Sequence, residues 1–343
     1  MDKLQEDFEH ILTQTHDLWE SISGKTIFVT GGTGFFGVWL QMSFVFINRK
    51  LNLNARMIIL TRNKNIFFDK YPFLANNPEV SFVEGNICSF QFFDDSVDFI
   101  IHAATDTSVQ LNHESPITMF HTIVDGTKRV LDFAVEKNVT SFLFTSSGAV
   151  YGANPSVFTN IKEDFVGAPA PSEPQSVYGE GKRMAEVLCA IYHHHFHVPI
   201  KIARGFAFVG PYLTLDTHFA VGNFIQDTLY NRNILIKGDG NAIRSYLYVA
   251  DLIIWLWTIL IKGKDNRPYN VGSDFGVTIS ELAKIVCFAG LSPNTEINIL
   301  SSNIKGSAPN QYVPNIERAK TELGLQVHID LPLAIKKTIQ FYR

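Results

Sequence analysis

Cysteine is scarce in this sequence: there are three among 343 residues, Cys88, Cys189 and Cys287. Their spacing matches neither a disulfide framework nor a metal-binding motif, so we expect reduced thiols and no metal site. An excess of positive charge is also missing, because 29 Lys and Arg stand against 33 Asp and Glu, a formal net charge of -4. Without a basic field to hold the phosphate backbone, nucleic acid is not an expected partner.

Long apolar runs are absent as well. The longest, residues 252–261 between Asp251 and Lys262, is far shorter than the roughly 20 residues of a membrane-spanning helix. The first residues, 1–7, are acidic and lack the apolar stretch of a signal peptide. These absences predict a cytoplasmic protein without a membrane partner.

The strongest pattern that is present is an alternation of buried strands and helices. With 46% hydrophobic and 18% charged residues, the chain has the composition of a folded globular protein. Strands are predicted at residues 26–30, 57–61, 80–83, 99–102, 141–145 and 200–203, and helices at about 36–48, 117–137 and 176–196. Because strands buried on both faces have continuous apolar character, this alternation predicts an α/β fold with a Rossmann-like, doubly wound parallel sheet.

The length suggests two domains or one large one, at about 150 residues per domain. We predict an N-terminal helical extension at residues 1–24, a Rossmann domain at 25–204 with part of about 240–265, and a smaller C-terminal α/β domain that is mainly 205–343.

A glycine-rich turn follows the first predicted strand and precedes a helix. Gly31, Gly34 and Gly37 have the spacing that permits a tight turn, close approach of a pyrophosphate, and close helix–sheet contact. Helix N-termini also present free N–H groups to phosphate. A glycine-rich turn without a ligand would show the same letters, but the strand before it and the helix after it favour dinucleotide binding.

The end of the second strand bears on the choice between NAD and NADP. An acidic residue there would accept a bond from the ribose 2′-hydroxyl, whereas an arginine accommodates a 2′-phosphate. The strand ends at Thr61, followed by Arg62 and no acid. This favours NADP with Arg62 as its partner, although NAD remains possible and Arg62 could equally be a solvated side chain.

Tyr178 and Lys182 lie four residues apart at the start of a predicted helix, and so on one helical face. A phenol has a pKa of about 10, and a neighbouring ammonium together with a positive nicotinamide ring would lower it. Ser147 ends the fifth strand, at the sheet edge where ligands bind in such folds. A Tyr and a Lys four apart occur by chance on helix surfaces, but the glycine turn and the serine make chance a poor explanation here.

With these motifs, the sequence resembles the extended short-chain dehydrogenase/reductase superfamily, in its nucleotide-sugar epimerase/dehydratase branch. Further matching blocks lie at residues 101–104, 146–152, 210–211, 238–244, 249–251 and 269–272. The resemblance implies an NAD(P)-dependent nucleotide-sugar epimerase or ketosugar reductase that acts by hydride transfer, and a substrate-binding role for the C-terminal domain. An atypical dehydratase or decarboxylase is the alternative, and a non-catalytic cofactor-sensing protein is a third possibility.

The same resemblance implies roles for particular residues. Ser147, Tyr178 and Lys182 would be catalytic, with Tyr178 as acid and base. Cofactor contacts would come from Gly31, Thr33, Gly34, Phe35, Phe36, Gly37, Arg62, Asn86, Ile87, Ala103, Ala104, Thr105 and Lys182. The substrate, a nucleotide-diphosphate sugar, would meet Thr107, Gly148, Ala149, Asn223 and Arg244. In this branch the helices matching 117–137 and 176–196 pair two subunits, which implies a homodimer.

Some positions depart from the branch pattern. The 4,6-dehydratases carry an Asp-Glu pair after the residue matching Ser147, where this chain has Gly148 and Ala149. Neither residue can exchange a proton, so conventional 4,6-dehydratase activity is not expected. Asn86 replaces a usual Asp, and Ile123 and Ala207 stand where the branch usually has Asn.

Overall fold

The protein, described here by a computed structural model over residues 2–105, 114–152, 160–216, 219–290, 295–300 and 310–343, divides into two compact units. Unit 1 comprises the described residues of 1–152, 168–204 and 253–269, and unit 2 comprises those of 153–167, 205–252 and 270–343.

This division differs in two places from the domain boundaries expected from the sequence. Residues 160–167 cluster with unit 2, because the Ile161 amide donates to the Val313 carbonyl at 2.9 Å and the Asn315 amide donates to the Ile161 carbonyl at 2.8 Å. The second difference is the later segment of unit 1, which is 253–269, whereas part of about 240–265 was expected. Residue Asp251 stays in unit 2, where its carboxylate accepts from the His328 amide at 3.0 Å.

A seven-stranded sheet forms the centre of the Rossmann-like fold. Its strands are β1 (Thr26–Thr30), β2 (Arg56–Thr61), β3 (Val80–Glu84), β4 (Phe99–His102), β5 (Ser141–Ser147), β6 (Ile200–Gly205) and β11 (Arg267–Val271), in the order β11-β6-β5-β4-β1-β2-β3. Strands β1 to β5 pair in parallel, with Val29 opposite both Ile59 and Ile101. The predicted parallel sheet is therefore confirmed, and its carboxyl ends share one edge.

The helices around this sheet are α1 (Gln5–Gln14), α2 (Phe35–Leu51), α3 (Lys64–Lys70), α4 (Pro116–Lys137) and α5 (Val177–Phe196), and α7 (Val249–Lys262) follows later in the chain. Helices α2, α4 and α5 each end at a residue in the left-handed region: Asn52, Asn138 and His197. That conformation stops the helix by turning the chain away. None of the helices in the described part of the chain has the length and apolar character needed to cross a bilayer.

Aromatic side chains fill the core of unit 1. The Phe28 ring on β1 lies 5.2 Å from Phe133 and 5.7 Å from Phe90, measured between centroids. The N-terminal extension adds to this core, because Phe8 of α1 packs edge-on against Trp39 of α2 at 5.8 Å. Each fully buried side chain of this kind contributes about 1.5–3 kcal/mol, so the extension is an integral part of unit 1.

Unit 2 is built from short strands and helices. The strands are β7 (Phe208–Val209), β8 (Ile234–Ile236), β9 (Ile243–Arg244), β10 (Leu247–Tyr248), β12 (Val277–Thr278), β13 (Ile297–Ile299) and β14 (Gln311–Tyr312); the helices are α6 (Ala220–Leu229), α8 (Ile279–Ala289), α9 (Glu317–Leu323) and α10 (Leu331–Tyr342). The Thr278 and Glu281 spacing predicts a capping box. It is present, with the Glu281 amide donating to Thr278 Oγ1 at 3.1 Å.

A buried histidine joins two strands and a helix through hydrogen bonds whose directions are fixed. The Ala104 amide donates to Thr30 Oγ1 at 3.3 Å, and Thr30 Oγ1 donates to His102 Nδ1, 2.6 Å away, because the single proton of the neutral ring is on the other nitrogen. The Thr127 hydroxyl donates to the Ile123 carbonyl, so His102 Nε2 carries the proton that it shares with Thr127 at 3.0 Å. Burial, together with the charge of Lys182, lowers the pKa of His102 to about 3.

This histidine predicts an acid-sensitive unit 1. An unfolded His has a pKa of about 6.5, and the folded value is about 3, so above pH 6.5 the ring is neutral in both states. Below that pH the unfolded state binds a proton that the folded state does not, and the free energy of unfolding falls by about 1.4 kcal/mol per pH unit. His102→Gln, which keeps one donor and one acceptor, should be less stable than the unmodified protein at pH 7.5 but lose less stability between pH 6 and pH 5. Urea unfolding measures both. Exposed His194→Gln is the control, and equal acid dependence in His102→Gln and the unmodified protein would contradict the assignment.

Candidate active site

The glycine turn between β1 and α2 leaves no room for side chains. Gly31 has φ +71°, and a Cβ there would lie 2.4 Å from the Ala103 carbonyl oxygen. A Cβ on Gly37 would lie 2.1 Å from the Gly32 oxygen. Among the described residues no side chain provides a capping hydrogen bond at Gly34, after which α2 begins. A turn with this close packing and an uncapped helix start fits the pyrophosphate of a dinucleotide.

Gln41 supports this turn, and the sequence analysis missed it. Its side chain is fully buried on α2, and Nε2 donates to the Gly32 oxygen at 2.7 Å and to the Gly37 oxygen at 3.4 Å. The available signal was an amide within the otherwise apolar start of α2. Gln41 therefore fixes the two glycines whose close contact shapes the turn.

The remaining predicted cofactor residues of the turn are partly buried or exposed around it. Thr33 is half-buried, and the Phe35 and Phe36 rings lie 6.0 Å apart. Ala104 is half-buried beside Thr105, whose hydroxyl donates to the Ala104 carbonyl at 2.8 Å.

Arg62 is exposed immediately after β2, and no hydrogen bond or ion pair of its side chain is found in the part of the chain that the structure describes. The next residue, Asn63, begins α3 by accepting from the Asn65 amide at 2.9 Å. Glu84 lies opposite Thr61 in the sheet register and accepts from the Lys64 amide at 3.2 Å.

Asn86 and Ile87 lie just after β3. Asn86 is exposed, and its Oδ1 accepts from the Cys88 amide at 2.9 Å. Ile87 is half-buried and packs closely on Gly126 of α4, where an added Cβ would be 3.0 Å from it. The two residues therefore place an amide and an apolar side chain beyond the carboxyl end of β3.

The structure brings the predicted catalytic residues together at the carboxyl end of the sheet. Ser147 is the last residue of β5, and Tyr178 is the second residue of α5. The Ser147 hydroxyl lies near enough to the Tyr178 side chain to oppose the effect of burial on the tyrosine pKa, and Ser147 Oγ accepts from the Ala149 amide at 3.1 Å.

Lys182 is buried one turn further along α5. Its Nζ donates to Thr105 Oγ1 at 2.6 Å and to the Thr145 carbonyl at 2.7 Å, and it lies 4.8 Å from the centre of the Phe144 ring. Burial lowers the pKa of Lys182 to about 7, and the charge of the Glu186 carboxylate opposes this shift. The ammonium is therefore held rigidly but is easily deprotonated.

The protein's own side chains do not produce the lowered tyrosine pKa that the sequence suggested. Burial raises the pKa of Tyr178, and the nearby Ser147 hydroxyl only partly opposes this rise. The reason is that removing a phenolate from water costs more than one neutral hydrogen bond recovers.

The residues after Ser147 supply no acid or base. Gly148 and Ala149 form the start of a 3-10 turn, Gly148–Tyr151, in which Gly148 is buried. A Cβ on Gly179 would lie 2.8 Å from the Ala149 oxygen, so helix α5 packs tightly against this turn. Ile123, found where the branch usually has Asn, is buried and contacts Gly181, where an added Cβ would be 3.3 Å from its Cδ1.

Two predicted substrate residues belong to unit 2. Arg244 ends β9, and its Nη1 donates to the carbonyls of Ile243 at 2.8 Å and Asn310 at 2.7 Å. Burial lowers the pKa of Arg244. Asn223 is half-buried on α6. Thr107 lies outside the described residues.

The chain matches the family model described as "NAD dependent epimerase/dehydratase family" over residues 27–272. It is 30% identical to UDP-glucuronic acid decarboxylase 4 of Arabidopsis thaliana, covering 90% of this chain and 68% of that protein. It is 26% identical to human dTDP-D-glucose 4,6-dehydratase, covering 93% and 90% respectively.

Solved structures share the fold. UDP-glucose 4-epimerase from Thermotoga maritima aligns with a TM-score of 0.74 at 22% identity, covering 93% of this chain and 98% of that chain. An epimerase from Methanothermobacter thermautotrophicus aligns with a TM-score of 0.78 at 20% identity, covering 96% of both chains. Because the family model spans most of the sequence and the resemblance drawn from its motifs is confirmed, this chain belongs to the NAD dependent epimerase/dehydratase family.

Proposed function

We propose that this protein is an NAD(P)-dependent nucleotide-sugar epimerase or ketosugar reductase. The observation that carries the proposal is the placement of Ser147 and Tyr178 beside the buried Lys182. The two residues that follow Ser147 in the chain, Gly148 and Ala149, cannot act as acid or base. Such a site can move one proton at a sugar hydroxyl or ketone oxygen, and lacks the second acid–base pair that elimination of water requires.

In the proposed mechanism, Tyr178 Oη takes the proton from the sugar hydroxyl, or returns it to the ketone. Ser147 Oγ orients that oxygen through a second hydrogen bond. Lys182 has three N–H donors, of which Thr105 and Thr145 take two, so the third can bind the ribose of the cofactor. When bound, the nicotinamide supplies the acceptor or donor of the hydride.

The cofactor proposal is NADP, with NAD as the alternative. It is supported by the exposed Arg62 directly after β2 and by the absence of an acid at that strand end. The family name points to NAD, and Glu84 at the end of β3 is a carboxylate that could accept from a ribose hydroxyl. Arg62 and Glu84 therefore distinguish the two cofactors.

We expect Arg62→Ala to weaken NADP binding by about 10- to 100-fold, because it removes a charge-assisted contact to the 2′-phosphate. NAD binding should be nearly unchanged. Isothermal titration with both cofactors measures this. Arg56→Ala is the matched control, an exposed arginine at the opposite end of the same strand. A clear NAD preference in the unmodified protein would refute the NADP assignment and direct attention to Glu84.

Tyr178→Phe should lower turnover by about 10²–10⁴, because it removes the group that exchanges the sugar proton. Cofactor affinity should remain close to that of the unmodified protein. The control is Tyr192→Phe on the same helix, whose hydroxyl donates to Asp132 and has no role in the proposed proton transfer. Steady-state kinetics separate the two variants, and undiminished turnover in Tyr178→Phe would overturn the mechanism.

A second candidate activity is decarboxylation of a nucleotide-linked uronic acid, favoured by the 30% identity to a UDP-glucuronic acid decarboxylase. Once C4 is oxidised, the carboxylate lies β to a ketone. The electrons of the broken carbon–carbon bond pass to that carbonyl, and no base is needed to break it. The chemistry therefore needs no acid–base pair at positions 148 and 149 for its central step.

Product analysis should distinguish these reactions. From dTDP-glucose, GDP-mannose or CDP-glucose we expect no 4-keto-6-deoxy sugar, because Gly148 and Ala149 cannot transfer protons. Epimerisation should leave the cofactor unconsumed and place no solvent deuterium at C5, whereas reduction should consume NADPH in step with product. Carbon dioxide released from UDP-glucuronic acid would favour the second candidate. A 4-keto-6-deoxy product at ordinary enzymatic rates, seen by NMR, would contradict the prediction. Its acid or base would then be sought at Glu180, half-buried on α5, and at His218, which lies outside the described residues.

A homodimer is part of the proposal. Helices α4 and α5 pack on each other within unit 1, and both carry large apolar side chains that remain exposed. These are Ile117 and Phe120 on α4, and Met184, Val187 and Ile191 on α5. Their spacing of three to four residues places them on common helix faces, which supports pairing of two copies through these helices.

A further inference from the structure

A buried ion pair lies behind the proposed catalytic residues and is not assigned a role by the motifs. Glu186 of α5 and Arg204 of β6 form a two-point contact, with Nε to Oε1 at 2.9 Å and Nη2 to Oε2 at 2.6 Å. Their side chains are only 13% and 14% exposed. Two parallel hydrogen bonds between charged groups fix distance and orientation together.

The pair is also tied to both ends of the turn that follows β5. Ser146, the residue before Ser147, donates from Oγ to Glu186 Oε1 at 2.6 Å. Arg204 Nη1 donates to the Tyr151 hydroxyl at 2.9 Å. The pair thus connects Ser146 and Tyr151, on either side of Gly148 and Ala149, to the helix that carries Tyr178 and Lys182.

Glu186 also acts on Lys182 through its charge. The two residues are four apart on α5, and Glu186 raises the pKa of Lys182 while burial lowers it to about 7. The other titratable groups around this ammonium are Cys189 and Tyr178 on the same helix and His102 at the end of β4. His102 is neutral and Cys189 is held as the thiol, because burial raises its pKa, so Glu186 is the carboxylate that favours a charged Lys182.

We propose that Glu186 and Arg204 are positioning residues of the active site, which hold Ser147 in register with Tyr178. The Glu186 carboxylate, and not Arg204, also favours the cationic form of Lys182. The inference rests on the proposed function, since it assumes that Tyr178 and Lys182 act on substrate and cofactor.

A solely structural role makes different predictions, and the chain contains a matched control for it. Arg49 and Glu79 form the same two-point contact, at 2.6 Å and 2.9 Å, at the amino end of β3. Glu79→Gln breaks a pair of the same two-point geometry that is more exposed, with Arg49 49% and Glu79 17% exposed. Effects shared by Glu186→Gln and Glu79→Gln are structural, and effects confined to Glu186→Gln are due to positioning.

The first readout is NADPH binding as a function of pH, measured by fluorescence, which needs no sugar substrate. Binding should weaken at alkaline pH as Lys182 loses its proton. We call this decrease in affinity the alkaline limb, and Lys182→Met should lack it. Glu186→Gln should move the limb down by about one pH unit, because it removes an opposite charge near the ammonium. Glu186→Asp, which keeps the charge, and Glu79→Gln should leave the limb in place.

The second readout is reduction of bound NADP⁺ by UDP-glucose in a single turnover. Ser146→Ala keeps the ion pair and all charges but cuts the link to β5. It should slow this step by about 10- to 100-fold while leaving the NADPH limb unmoved. A limb in Glu186→Gln at the position of the unmodified protein, together with an undiminished rate in Ser146→Ala, would overturn the inference.

Failure of the proposed function has a separate signature. If Tyr178→Phe reduces the cofactor at the unmodified rate, the mechanism itself is wrong, whatever the Glu186 variants show. Melting temperature is measured for every variant. If Glu186→Gln does not fold, the rate in Ser146→Ala decides, since this variant retains the ion pair. A slowed step then supports the inference, and an undiminished rate overturns it.

Discussion

An ammonium group buried at the carboxyl end of the sheet constrains the structure around it. Removing a charge from water is expensive unless the surroundings replace the lost hydration. For Lys182 the replacement comes from the Thr145 carbonyl, the Thr105 hydroxyl and the face of the Phe144 ring. These groups belong to β5 and to the segment after β4, so their contacts with Lys182 fix the position of α5 along the sheet. The same placement brings Tyr178 to Ser147, and the geometry of the proposed proton transfer follows from the burial of a charge.

A second constraint acts at the opposite side of this edge, where β1 passes into α2. Here the backbone atoms of Gly31, Gly37 and Ala103 approach so closely that a side chain would collide. Two buried side chains support this region through hydrogen bonds. His102 bridges Thr30 and Thr127, and Gln41 donates to the Gly32 carbonyl. Both are polar groups inside an apolar core, where an unsatisfied partner would cost about 1–3 kcal/mol. Both His102 nitrogens and Gln41 Nε2 are paired in this way, whereas Gln41 Oε1 is buried without a hydrogen-bond partner among the described residues.

Sequence reasoning found those parts of the fold and the site that depend on local pattern. Strands β1 and β4 have the predicted bounds, because continuous apolar residues between turns leave little choice of end. Tyr178 and Lys182 were identifiable because residues four apart lie on the same face of a helix. The Glu186–Arg204 pair was not, because its members lie 18 residues apart, and Ser146 and Glu186 lie 40 apart, with no periodicity to link them. The net direction of the Tyr178 pKa shift could not be predicted from the sequence either, because burial depends on the whole packing around the ring.

The positions after Ser147 show how one scaffold can separate the reactions of its family. Oxidation at a sugar carbon needs one proton acceptor, and Tyr178 supplies it in all the proposed chemistries. Elimination of water needs a further acid and base close to the neighbouring carbons. At the two positions after Ser147 the chain has Gly148, which is buried, and Ala149, whose carbonyl is in contact with Gly179 of α5. Neither residue has a side chain that can exchange a proton, so the proposed chemistry is limited to steps that Tyr178 can complete.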